Sequence, residues 1–132
     1  MEHDAYWCLV EEGGGEFGGS SLNATLRDYA RLGLFALRGG KLENGESVLP
    51  DGWMAESTTG SAGNDEYGYQ WWLRTYDAGS NATPCFLAAG WGGQRIHVFP
   101  DLNMVVVFTG GNYVGEEPVG EIITRFILPA VQ

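Results

Sequence analysis

The residues best suited to chemistry lie in Gly90-Trp91-Gly92-Gly93-Gln94, a glycine-rich corner that opens into the alternating run Gln94–Phe99. Three glycines beside one indole let the backbone bend sharply and approach another molecule closely, which a Cβ would prevent. Both a tight structural turn and a ligand-facing corner have this composition. Elsewhere the chemistry-bearing residues do not assemble. The two histidines, His3 and His97, have no acidic or thiol partners at metal-ligand spacing, and His97 reads as a satisfied core or surface histidine. None of Ser20, Ser21, Ser47, Ser57, Ser61 and Ser80 is followed three residues later by lysine or sits in a Gly-x-Ser-x-Gly elbow. Ser21-Leu22-Asn23 fits a loose Ser-x-Asn pattern and reads more simply as the lead-in to a helix. Gly13–Gly19 lacks the lysine and the strand-turn-helix context of a phosphate loop. Glu11-Glu12 and Glu116-Glu117 read as solvated loop charges. Cys8 and Cys85 match no metal or redox spacing; two ordinary buried thiols are expected, with a disulfide as the alternative. No metal or other cofactor is implied.

Several elements must position that corner. Thr25–Leu37 predicts the clearest helix: Thr25 with Asp28 resembles a capping box, and Leu26, Tyr29, Ala30, Gly33, Leu34 and Leu37 form an apolar stripe ended by Gly39-Gly40. Asn44-Gly45 predicts a hairpin-type turn, and Pro50 introduces a short helix over Asp51–Ser57. Tyr67–Tyr76 predicts a strand, interior because aromatic residues fall on both of its faces. Cys85–Ala89 extends into the corner. Gln94–Phe99 and Met104–Thr109 are joined by the turn Pro100–Asn103, and a glycine loop, Gly110–Gly115, follows. Glu117–Val131 predicts an amphipathic terminal helix limited by Pro129. The sum is an α+β fold, an antiparallel sheet with covering helices and a C-terminal helix.

Composition bounds the rest. The 132 residues are 44% hydrophobic, enough for one core and inconsistent with disorder. The formal charge of −10, with Lys41 as the single lysine, argues against partners that are nucleic acids or anionic membrane surfaces, which need cationic neutralisation. The opening residues carry aromatic anchors, Tyr6 and Trp7, and then a glycine loop over Glu11–Ser21. That pattern reads as the middle of something rather than a domain's beginning.

The order of motifs resembles the serine β-lactamase-like hydrolases: class C β-lactamases, their esterase cousins and the 6-aminohexanoate-dimer hydrolases. The resemblance runs through Leu22–Gly33, Val48-Leu49-Pro50-Asp51-Gly52-Trp53, Tyr67-Gly68-Tyr69-Gln70-Trp71-Trp72, Gly90–Ile96, Pro100-Asp101-Leu102 and Val105–Gly111. It implies a partial β-lactamase/transpeptidase-like fold, with residues 1–132 as a single domain, the C-terminal portion of such a hydrolase. The family carries Ser-x-x-Lys with the nucleophile, Tyr-x-Asn or Ser-x-Asn, and Lys-Thr-Gly on a strand edging the cleft. Only the third has a counterpart here, Trp91-Gly92-Gly93, with Trp91 where many members have Lys or His. Esterase-like members also show Trp-x-Gly there. The missing cation weakens recognition of a β-lactam carboxylate and favours ester or amide substrates. By the same resemblance Gln94 contributes its backbone N–H as an oxyanion donor. Trp91, Gly92, Gly93, Asn112 and Tyr113 line the substrate cleft.

The expected function is therefore that of a segment of a serine hydrolase working through an acyl-enzyme on a small ester, amide or lactam, inactive alone. The alternative is a stand-alone binding module, or one that self-associates as a homo-oligomer through exposed Trp71, Trp72 and Trp91.

Overall fold

The computed structural model describes residues 1, 3–8, 14, 19–79, 81–115 and 117–131. The glycine loop at 11–21 is therefore described only at 14 and 19–21. Glu11, Glu12, Ser80 and Glu116 lie outside the described residues.

Two short strands, β1 (Tyr6–Trp7) and β2 (Leu22–Asn23), pair antiparallel ahead of helix α1 (Leu26–Leu37). The segment Ser21-Leu22-Asn23 thus leads into the helix as a strand pairing. Helix α1 starts where its sequence signals place it. Thr25 accepts from the Asp28 N–H (3.2 Å) and donates its hydroxyl to the Asp28 carboxylate (2.8 Å). At the other end the Gly39 N–H reaches the Ala36 carbonyl (3.0 Å) and the Gly40 N–H the Phe35 carbonyl (2.9 Å), the paired bonds of a Schellman cap. Asp28 is buried, held by Thr25 and by Arg31 at 3.3 Å, whereas Leu26 from the expected apolar stripe is exposed. A short helix, α2 (Trp53–Ser57), follows the turn at Asn44-Gly45, across which Lys41 and Ser47 form a bridge.

The main sheet is a four-stranded antiparallel meander of β3 (Trp72–Ala78), β4 (Asn81–Ala89), β5 (Arg95–Phe99) and β6 (Met104–Phe108), in that spatial order. Residue parity sorts the side chains onto two faces. Phe86, Ile96 and Val98, with Val105 and Val107 beside them, pack against Ala36 and Leu37 of α1. Cys85, Leu87 and Phe99 face the C-terminal helix, meeting Val119, Ile123 and Leu128.

Four expectations are corrected. The strand predicted at Tyr67–Tyr76 begins only at Trp72, because Gln70 adopts a left-handed conformation (φ 66°) and turns the chain. That strand is an edge strand of the sheet and pairs with β4 alone, so aromatics on both faces did not signal an interior position. Trp71 is half-buried, its ring edge-on to Phe86 at 5.0 Å, while Trp72 and Trp91 are exposed as expected. Cys8 is exposed rather than buried; Cys85 is buried, and both are free thiols.

The terminal helix starts at Val119 and continues past Pro129 to Val131 as α3 (Val119–Ile122), a π-helical turn (Ile123–Ile127) and α4 (Leu128–Val131). The widened turn, with the Leu128 N–H bonded to the Ile123 carbonyl, accommodates a proline ring that would otherwise crowd the carbonyl of Arg125.

Candidate functional site

Strand register decides what meets at the corner. Ala89 pairs with Arg95, and Arg95 with Phe108, so residues 90–94 and 109–113 leave the same end of the sheet side by side. The corner is closed by the Gly90 N–H donating to the Gln94 carbonyl (2.9 Å). Within it Gly92 and Gly93 are both buried and left-handed, with φ of 94° and 91°. A Cβ on Gly92 would sit 2.6 Å from the Tyr113 ring, so glycine is required there by backbone angle and by space.

The loop after β6 packs on this corner. The Asn112 N–H donates to the Gly92 carbonyl (3.0 Å), and the Gln94 side-chain amide donates to the Gly110 carbonyl (2.5 Å). A Cβ on Gly110 would collide with the Gly92 carbonyl oxygen. Trp91 is 80% exposed and stands edge-on to Tyr113, ring centroids 5.7 Å apart. The structure thus brings together Trp91, Gly92, Gly93, Gln94, Asn112 and Tyr113. Among the described residues the Gln94 N–H has no acceptor, although the carbonyl and side chain of the same residue are engaged.

Sequence reasoning missed Arg95 and Glu117. The Arg95 guanidinium donates from Nη1 to the carbonyls of Gly90 and Gln94, the latter at 2.7 Å, and from Nη2 to the Glu117 carboxylate. Glu117, read as a solvated loop charge, is instead a half-buried partner just ahead of α3. No spacing rule links positions 22 residues apart; the only hint was Arg95 at the head of an alternating strand.

Below the corner, on the face of the C-terminal helix, a cleft of about 470 Å³ is lined by Trp72, Arg74, Tyr76, Trp91, Arg95 and Glu117, among others. Gly92, Gly93, Gln94, Asn112 and Tyr113 are not part of its lining. The Tyr76 hydroxyl lies 3.0 Å from Nε2 of His97, which is fully buried with Nδ1 unpartnered among the described residues. Burial, with a smaller contribution from the Arg95 charge, pulls the His97 pKa down to about 4, so the ring is neutral near pH 7. Burial likewise pushes the Cys85 thiol up to about 12, which leaves it without thiolate character. Among the described residues no three His, Cys, Asp or Glu side chains gather where they could hold a metal ion, and no helix is long and apolar enough to cross a membrane.

The family model described as Beta-lactamase matches residues 2–123. A solved structure from Bacillus anthracis, provisionally designated a 6-aminohexanoate-dimer hydrolase, matches with a TM-score of 0.75 and 26% identity over 99% of this chain and 34% of that one. The chain therefore spans about a third of that protein's length. No curated protein matches the sequence. With a family model covering nearly its whole length and an α+β fold shared with a hydrolase of that type, this chain belongs to the beta-lactamase family.

Proposed function

We propose that residues 1–132 are the C-terminal portion of a serine hydrolase domain and form one wall of its acyl-transfer cleft. The supporting observation is the corner itself: two left-handed glycines carry the chain into Gln94, whose N–H is left without an internal acceptor among the described residues. When a serine oxygen attacks an acyl carbonyl, the carbonyl oxygen gains negative charge. A fixed backbone donor stabilises that charge as it forms, and losing one such donor costs about 2.7–4 kcal/mol. Gln94 supplies this donor, and Trp91, Gly92, Gly93, Asn112 and Tyr113 shape the adjoining substrate surface. The sequence holds no Ser-x-x-Lys and no Tyr-x-Asn, so nucleophile and base come from chain outside these 132 residues, and the segment alone is inactive.

Trp91 presents an indole where a cation would grip a β-lactam carboxylate, which favours a small, uncharged ester or amide. The same exposed indole supports a second reading, a non-catalytic binding module. A fluorophosphonate probe separates outcomes: no labelling is expected, and stoichiometric labelling of a serine in this chain would overturn the proposal. The reading frame ahead of the Met1 codon should carry both missing motifs in frame; a stop codon immediately upstream would leave the binding module as the better account.

A further inference from the structure

We infer that Arg95, clamped by Glu117, is a positioning residue that latches the corner in the shape that presents the Gln94 N–H. A glycine corner has little to hold it, since Gly92 and Gly93 contribute no side chain and lose more conformational freedom on ordering than other residues. One brace comes from the loop after β6, through the Asn112 N–H and the Gly110 carbonyl. The other is Arg95. Its Nη1 takes the carbonyls of Gly90 and Gln94, the first and last residues of the corner, so a single guanidinium spans the whole turn. Its Nη2 is tied to Glu117, at the threshold of the C-terminal helix. Both side chains are mostly shielded, at 18% and 26% exposure, unlike the open ion pair of Arg125 with Glu121.

Lysine cannot replace this arrangement. Its ammonium is one point with no planar fork, so it can keep the carboxylate but not two carbonyls and a carboxylate together. Arg95 touches no reacting atom. It fixes the peptide groups on either side of the donor, and its importance for catalysis rests on the assignment of Gln94 as the oxyanion donor.

Amide hydrogen exchange of the 132-residue chain tests the latch without any substrate. In Arg95→Lys the Gly90 and Asn112 amides should exchange at least tenfold faster, while those of Val98 and Phe86 keep their rates. Glu117→Gln should give the same pattern with a smaller change. Adding methylguanidinium to Arg95→Ala should restore protection at Gly90. Unchanged exchange at Gly90 and Asn112 in both Arg95→Lys and Glu117→Gln would overturn the latch. So would a uniform rise across corner and strands, which marks a residue serving stability alone. If Arg95→Lys does not fold, Glu117→Gln decides. Serine labelling of the chain would overturn the placement of the nucleophile outside these 132 residues and leave the exchange result standing, so the two failures are distinguishable.

Discussion

The two faces of the β3–β6 sheet are packed by different means. Against α1 the contact is apolar and close: Gly33 lets the helix backbone settle onto Val105 and Ile96, with Phe86 and Val98 buried alongside. Against the C-terminal helix apolar and polar contacts are mixed. Phe99, Ile123 and Leu128 are fully buried, yet the same face carries neutral His97 bonded to Tyr76 and, at its upper end, the Arg95–Glu117 pair. The contrast separates two tasks. The α1 face fixes the register of β5 and β6 by shape, whereas the helical face places polar groups beside the strand ends from which the corner emerges.

Truncation should break that contrast most strongly at Phe99. Phe99→Ala removes a fully buried ring from the helical face and should cost about 3–5 kcal/mol in urea unfolding, against about 0.5–1.5 kcal/mol for Ile96→Val on the α1 face. The two costs should add in the double variant, and a coupling between them would mean that the two faces share one core rather than two.

Acidity should act on the helical face through His97. His97 binds its proton less readily folded, at a pKa of about 4, than unfolded, near 6.5. The unfolded chain therefore takes up the proton first as pH falls. Stability from this group is complete above about pH 6.5 and declines toward pH 4, by up to about 3 kcal/mol. The informative quantity is the difference between the wild-type chain and His97→Phe, whose stability should fall less steeply between pH 6.5 and 4. Parallel curves would show that the histidine is charged, or reached by water, in the folded state.

On the α1 face the sharper probe is added volume. A Cβ at Gly33 would lie 2.5 Å from Cγ1 of Val105 and 2.9 Å from Cγ2 of Ile96. Overpacking of this kind costs about 1–3 kcal/mol, against about 1 kcal/mol gained when alanine replaces glycine in a helix. Gly33→Ala should thus be mildly destabilising alone and less so in a Val105→Ala background, where the closer of the two contacts is gone and only Ile96 must shift. A double-mutant cycle showing simple additivity would put the helix farther from the sheet than the structure does.

Much of this was legible in the sequence, for physical reasons particular to each place. Thr25, Asp28, Gly39 and Gly40 act within one helix through short-range bonds, so the limits of α1 could be read directly. The β5–β6 hairpin was legible because alternation and turn residues are local too. The strand at Tyr67–Tyr76 was begun too early because alternation assumes an extended chain, and the positive φ of Gln70 breaks it before Trp72. The pairing of Arg95 with Glu117 was invisible because it is set by tertiary packing, which brings the head of β5 to the start of the C-terminal helix. A charge before a helix reads as solvated unless something places a partner beside it.

That last point is sharpened by the smallest expected effect. Arg125 and Glu121 form an ion pair one turn apart on the terminal helix, with side chains 66% and 57% exposed. Open pairs of this spacing contribute roughly 0.3–0.5 kcal/mol and are screened by salt. Arg125→Gln should therefore shift the urea midpoint only slightly, and less in 0.5 M NaCl than at low salt. Arg95→Gln removes the same charge from the same chain but leaves Glu117 half-buried, the Gly90 carbonyl without the guanidinium and the Gln94 carbonyl with the Gly90 N–H alone. Its effect should persist in 0.5 M NaCl, because shielded pairs are poorly screened. If both substitutions respond to salt alike, Arg95 is an ordinary surface charge and the corner is held by the β6 loop alone.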